Sequence, residues 1–391
     1  MRFRPGLALS LPLMACLAVP EARGDDHLAP VPVAKQLPGL QLLQGPWDEG
    51  DVHRESVLFV RGADGKTSAK LLFDADRVLA VQGADGVRSF EVARDYQIAP
   101  DGSGLLLPNG SRIPFLEETE LFRPKGSANS IGPRAGHPES NLLFDNGRFF
   151  HDRQVEFSYV PRGASWDAYR PAFAGGRLKG TIGKLKAKQA VTIALSGDSI
   201  SEGYNASEYS KAPPFMPPYP TLLAAQLEQT YGTKVAMHNH AVAGWSSGQG
   251  VNDLDTLLKI KPDLIVIAYG MNDVGRRNPQ AFKANVETML RRISEANPAT
   301  EVILVSTMTG NPDWVATPPE MFSAYRDALA TLEGPGVAFA DVTSVWQRLM
   351  KRKRHIDVTG NGVNHPNDYG HRVYAQTILA LLIPRPAAAA R

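Results

Sequence analysis

The stretch 190–202, AVTIALSGDSISE, sets a short apolar run directly before a Gly-Asp-Ser turn. A run of this kind reads as a strand buried on both faces, the habit of a parallel sheet. The pattern returns twice, because residues 235–239 lead to Ala243-Gly244 and residues 264–269 lead to Gly270-Met271-Asn272-Asp273. Two more apolar runs follow at 302–306 and 337–340. Segments 219–231, 279–296, 318–332, 345–353 and 367–382 have helical periodicity, and 250–258 is a shorter helical candidate. Strands alternating with helices predict an α/β domain over residues 186–385, with a parallel sheet covered on both faces.

Upstream the texture differs. Residues 27–185 are punctuated by hairpin-turn pairs at Asp64-Gly65, Asp85-Gly86, Asp101-Gly102, Asn109-Gly110 and Asn146-Gly147. Short β-type runs lie between them, at 56–60, 71–73, 78–81, 90–92 and 155–160. They predict an antiparallel β-sandwich of jelly-roll type, serving as an accessory domain. The Gly- and Lys-rich segment 177–188 reads as its linker, and 386–391 as a loose tail.

The 391 residues suffice for two domains, and 42 Lys plus Arg against 40 Asp plus Glu leave a formal charge of +2. That balance excludes a polybasic nucleic-acid binder and leaves a small or neutral molecule as the expected partner. Arg2 and Arg4 precede an apolar stretch at 7–19, and Ala22-Arg23-Gly24 offers small residues for cleavage. Residues 1–24 therefore read as a signal peptide, and the product as exported, periplasmic or secreted. Two rivals stay open: a lipoprotein site at Cys16, in Leu13-Met14-Ala15-Cys16, and an uncleaved anchor. No later segment approaches the roughly 20 apolar residues of a membrane helix.

In an open parallel sheet, ligands bind outside the carboxyl ends of the strands, where the three polar motifs would converge. Asn364-His365-Pro366, ahead of the last helix, can return a histidine to the same edge. Each residue type there suits one part of acyl transfer. Ser199 would be the nucleophile and His365 its base. The backbone N–H groups of Ser199 and Gly244 and the side-chain amide of Asn272 could hold an oxyanion.

Gly197-Asp198-Ser199, Gly244, Asn272 and His365-Pro366 resemble, in order, the four blocks of the SGNH, or GDSL, hydrolases over about residues 190–383. The resemblance implies a three-layer αβα fold of flavodoxin type. It also implies esterase, lipase, thioesterase or carbohydrate deacetylase activity without a metal or an organic cofactor. One position departs from the family, whose triad aspartate usually stands three residues before the histidine; Gly362 is found there. Asp357, Asp341 or a main-chain carbonyl could orient His365 instead, with Asp357 the preferred candidate. Some carbohydrate esterases of the family with an N-terminal β-sandwich also resemble this layout and work with a Ser-His pair.

Several other features compete. Gly244-Trp245-Ser246-Ser247-Gly248 matches a nucleophile elbow and offers Ser246 as a rival serine. His238 and His240 could face one side together but lack a third metal ligand, so no metal is expected. Trp245 or Trp314 could stack on a sugar ring. Asn205-Ala206-Ser207 and Asn109-Gly110-Ser111 fit the glycosylation pattern. The proline-rich segment 205–218 is long for a connection and reads as a lid or pocket wall. The reading that results is a serine esterase removing short acyl groups, acetyl foremost, from a carbohydrate. A lipase or lysophospholipase, and a glycan-binding protein with a decayed hydrolase domain, are the alternatives.

Overall fold

The computed structural model describes residues 29–31, 40–100, 102, 104–163 and 165–385. The expected signal peptide, Cys16 and the tail at 386–391 lie outside them. From residue 191 on, five strands form one parallel sheet: β1 (Val191–Gly197), β2 (Val235–Asn239), β3 (Leu264–Ala268), β4 (Glu301–Val305) and β5 (Val337–Ala340), in the order 2-1-3-4-5. Every residue of β3 and β4 is buried, as a sheet covered on both faces requires.

The helices in chain order are α1 (Lys179–Lys186), α2 (Ser199–Glu202), α3 (Tyr219–Tyr231), α4 (Ser247–Leu258) and α5 (Pro279–Ala296), then α6 (Pro319–Ala330), α7 (Val342–Met350), α8 (His355–Val358) and α9 (Asp368–Leu382). The order 2-1-3-4-5 is that of flavodoxin-type folds, whose strand order reverses beside the first strand and opens a crevice there. The loops after β1, β2 and β3 all open onto that crevice. Segment 177–188, expected as a linker, largely folds as α1 and packs into the core through Ile182 and Leu185.

The N-terminal region is sheet-rich, as its turns predict. Val155–Pro161 pairs antiparallel with both Val52–Val57 and Ala75–Gly83. After Leu58 the chain enters Phe59–Arg61, which belongs to a second, five-stranded sheet. Most pairs are antiparallel, but Phe59–Arg61 runs parallel to Phe115–Glu117. Phe59, Tyr96 and Phe157 pack between the sheets, with ring centroids 5.3–6.4 Å apart. The predicted turn glycines Gly65, Gly86 and Gly110 sit at φ of +74°, +71° and +82°, a region glycine enters without steric cost.

This region is not a detachable appendage. All 15 residues of α9 are buried, including Arg372 and Gln376, which would face solvent on a free outer helix. The guanidinium of Arg372 donates to the carbonyls of His53 and Arg54, and Gln376 Nε2 donates to those of Gln41 and Gln44. One continuous apolar core accordingly runs from Val57 and Phe157 through Tyr374 to Val266.

Candidate active site

β1 ends at Gly197, and Asp198 caps the short helix that follows by accepting from Ile200 N–H at 3.0 Å. This sharp exit sets Ser199 at the first position of α2. Its Oγ lies 2.9 Å from His365 Nε2, although 166 residues separate the two in sequence. Ser199 and His365 are 6% and 7% exposed, so the pair is shielded from bulk solvent.

The loop that carries His365 is shaped by Asn361, whose Oδ1 accepts from the N–H groups of Val363, Asn364 and His365 at 2.9–3.1 Å. Against the expectation for Asp357, that carboxylate is committed elsewhere, accepting from Leu58 N–H at 2.8 Å and Arg354 N–H at 2.7 Å. Asp341 likewise caps α7 through Ser344 N–H at 2.8 Å. The group facing His365 Nδ1 is the side-chain oxygen of Asn205, 3.1 Å away. Asn205 stands in a glycosylation pattern in the sequence, but at 5% exposure its side chain is closed to a glycan.

Gly244 sits at φ +81°, where a side chain is strained even though a Cβ there would meet nothing within 4 Å. The glycine is thus required by backbone conformation, and the space in front of it is open. Its loop is held by Ala243 N–H, which donates to Glu202 Oε2 at 2.6 Å. Asn272 Nδ2 donates to Trp245 O at 2.8 Å, tying the third loop to the second. An amide nitrogen carries two hydrogens, so this bond leaves Asn272 one N–H to offer elsewhere.

Burial governs the electrostatics. It depresses His365 to about 3, with His371 adding to the effect, so the imidazole stays neutral and able to accept a proton. Asp198 is pushed up to about 7, first by burial and then by the charge of Asp273. Because its folded value lies above the ordinary 3.8, Asp198 favours the native state as pH falls through that window and opposes it above. Asp273 is also raised by burial and braces the loop through Ser247 Oγ at 2.7 Å.

The competing features resolve structurally. Ser246 caps α4 through Gln249 and is 1% exposed, which makes the Gly-x-Ser-x-Gly stretch a helix start. His240 Nδ1 pairs with Asp253 at 2.7 Å. Trp314 is buried against Leu142 and Val363, while Trp245 is half-buried. Segment 205–218 is anchored by Ser207 N–H to Asp368 at 2.7 Å and by His151 Nε2 to Pro213 O at 2.7 Å, which makes it a fixed wall. It presents Tyr209, 42% exposed, whose ring lies over Tyr204 with centroids 4.6 Å apart. Tyr204 in turn meets the His365 ring edge-on at 5.1 Å.

A buried hydroxyl bonded to an imidazole, with amide groups on the adjoining loops, is an arrangement suited to nucleophilic attack on an acyl carbon. Residues 195–373 match the model of the GDSL-like Lipase/Acylhydrolase family. The chain thus carries a GDSL-like lipase/acylhydrolase domain and is a hydrolase acting on esters. No curated protein matches it. Among solved structures it is similar to the lipase Lip_vut3 from a goat rumen metagenome, at 18% identity, TM-score 0.41, covering 49% of this chain and 96% of that one. It is similar to a two-domain esterase active on acetylated mannans, at 22% identity, TM-score 0.43, over 54% of this chain and 53% of that one. A mutant of Axe2, an acetyl-xylooligosaccharide esterase from Geobacillus stearothermophilus, matches at 20% identity, TM-score 0.39, over 48% of this chain and 92% of that one.

Proposed function

We propose that this protein is an exported serine esterase that removes short acyl groups, acetyl foremost, from a carbohydrate. The observation that carries the esterase chemistry is the 2.9 Å contact between Ser199 Oγ and His365 Nε2. Ser199 Oγ attacks the ester carbonyl while its proton passes to Nε2, and the oxyanion is received by the N–H groups of Ser199, Gly244 and Asn272 Nδ2. Collapse of the tetrahedral species breaks the C–O bond, and the alcohol leaves with the proton from Nε2. Water then attacks the acyl-enzyme with the same imidazole as base, releasing the acid and restoring Ser199.

The carbohydrate part rests on the surroundings. The residues that meet the His365 ring are the amide of Asn205 and the ring of Tyr204, and neither is the aliphatic lining a long acyl chain would need. The exposed Tyr209, its ring tilted by 32° against that of Tyr204 beside the base, offers a flat face on which a sugar ring can lie. Export rests on the opening segment 1–24 alone.

The test is a series of p-nitrophenyl esters of rising chain length, followed by acetylated oligosaccharides. Activity is expected to peak at acetate and to extend to the oligosaccharides; a maximum at eight carbons or more would support a lipase instead. Labelling by a fluorophosphonate probe is expected in the wild type, and a glycan-binding protein with a dead site would remain unlabelled. Within this scheme Asn272→Ala removes one oxyanion donor, and kcat on p-nitrophenyl acetate should fall by about 10²–10³ with KM little changed. An unchanged kcat would remove Asn272 from the oxyanion site.

A further inference from the structure

The imidazole of His365 is held by an uncharged partner. Since Nε2 faces the Ser199 hydroxyl, the ring proton belongs on Nδ1, and Asn205 Oδ1 lies 3.1 Å from that nitrogen. Were the amide turned over, Nδ2 would face the ring and drive the proton to Nε2, the tautomer that cannot accept from serine. The orientation is fixed from outside the α/β domain, because Asn205 Nδ2 donates to the main-chain carbonyl of Asn146 at 3.2 Å. Asn205 also sits at φ +62°, a region asparagine tolerates better than most residues. It is packed so tightly that a Cβ on Gly360 would come within 2.5 Å of its own Cβ.

We infer that Asn205, locked by the Asn146 carbonyl of the N-terminal region, is the positioning residue that sets the tautomer of His365 in place of a carboxylate. The kinetic consequences rest on the esterase reading; the tautomer does not. A carboxylate at this position would set a second oxygen against the Asn146 carbonyl, whereas the amide satisfies both neighbours at once. Among the described residues His371, on α9, and Tyr204 are the titratable groups set against His365, while the neighbouring carboxylates are engaged elsewhere, Asp198 by Ile200 N–H and Asp368 by Ser207 N–H. With no anion to stabilise an imidazolium, the ring stays neutral well into acid, and the base remains usable where a triad of ordinary type would already be protonated. The N-terminal region is then part of the catalytic assembly.

The experiment uses the full chain with Asn205→Asp and Asn205→Gly. It follows kcat/KM for p-nitrophenyl acetate against pH, and the His365 ring by NMR on ¹³C-labelled histidine, assigned through its loss in His365→Gln. In the wild type both midpoints should lie below about pH 5, against an unperturbed value near 6.5. Asn205→Asp should move both upward by roughly one pH unit or more. Asn205→Gly suits the backbone but lacks the acceptor, and should lower kcat about 10–100-fold while leaving KM within about twofold. A His365 midpoint that stays put in Asn205→Asp, or full kcat in Asn205→Gly, overturns the inference. The NMR arm needs no substrate, so it separates failure of this inference from failure of the esterase reading.

Discussion

Ser199→Ala should lower kcat on p-nitrophenyl acetate by about 10⁴–10⁶, His365→Ala should cost nearly as much, and the double variant should be no worse than either alone. The reason is geometric. A serine hydroxyl is a poor nucleophile until a base takes its proton, and in the proposed mechanism the 2.9 Å contact between Oγ and Nε2 is the route for that transfer. Either deletion abolishes the whole unit, so the second has nothing left to remove. What survives in all three variants is the activity of the amide donors on the loops, a residue of about 10³-fold over water. Ser246→Ala is the matched control: it removes a helix cap, worth about 1 kcal/mol of stability, and should keep near-wild-type kcat. Losses that multiply in the double variant would mean Ser199 and His365 act independently, and a dead Ser246→Ala would move the nucleophile to the elbow-like stretch.

The pair could be read in sequence because each member is attached to a pattern. Strands buried on both faces are written as unbroken apolar runs such as 264–268, and a parallel sheet gathers whatever follows them at one edge. Ser199, Gly244 and Asn272 stand immediately beyond such runs. Asn205 has no such attachment. Its contact spans 160 residues, and an amide oxygen accepting one hydrogen bond leaves no compositional trace. The carboxylate that the sequence offers for His365 is Asp357, and it accepts from the N–H groups of Arg354 and Leu58 instead. The docking of the N-terminal region was hidden for a related reason. Arg372 and Gln376 read as the wet side of α9, yet their partners are main-chain carbonyls between residues 41 and 54, and a carbonyl looks the same in every sequence. The hairpin turns were visible through their Asp-Gly and Asn-Gly pairs, whereas the crossing between sheets at Leu58 was not.

Lys353→Met should destabilise the protein by about 3–5 kcal/mol in urea unfolding, the largest loss expected of a single change away from the catalytic pair. Lys353 Nζ lies 2.6 Å from Glu55 Oε1, and both side chains are 0% exposed. The carboxylate also accepts from Leu72 N–H at 2.8 Å and from Tyr159 Oη at 2.7 Å, while Nζ donates to Lys70 O at 2.9 Å. Methionine matches the lysine stem but removes its charge, leaving Glu55 ionised in a dry interior or forced to take up a proton. Adding Glu55→Gln should recover about half the loss, because the amide oxygen can still accept from a neighbouring donor while the buried charge is gone. The pair joins the N-terminal sheet to the segment entering α8, two residues before the helix begins at His355. That segment continues through Thr359, whose carbonyl accepts from Gln154 at 2.8 Å, to the loop of His365. Unfolding should therefore remain a single transition, with kcat falling wherever the sheet loosens from the loop. A loss under 1 kcal/mol would mean water already reaches the pair and the N-terminal region is not what holds the base in place.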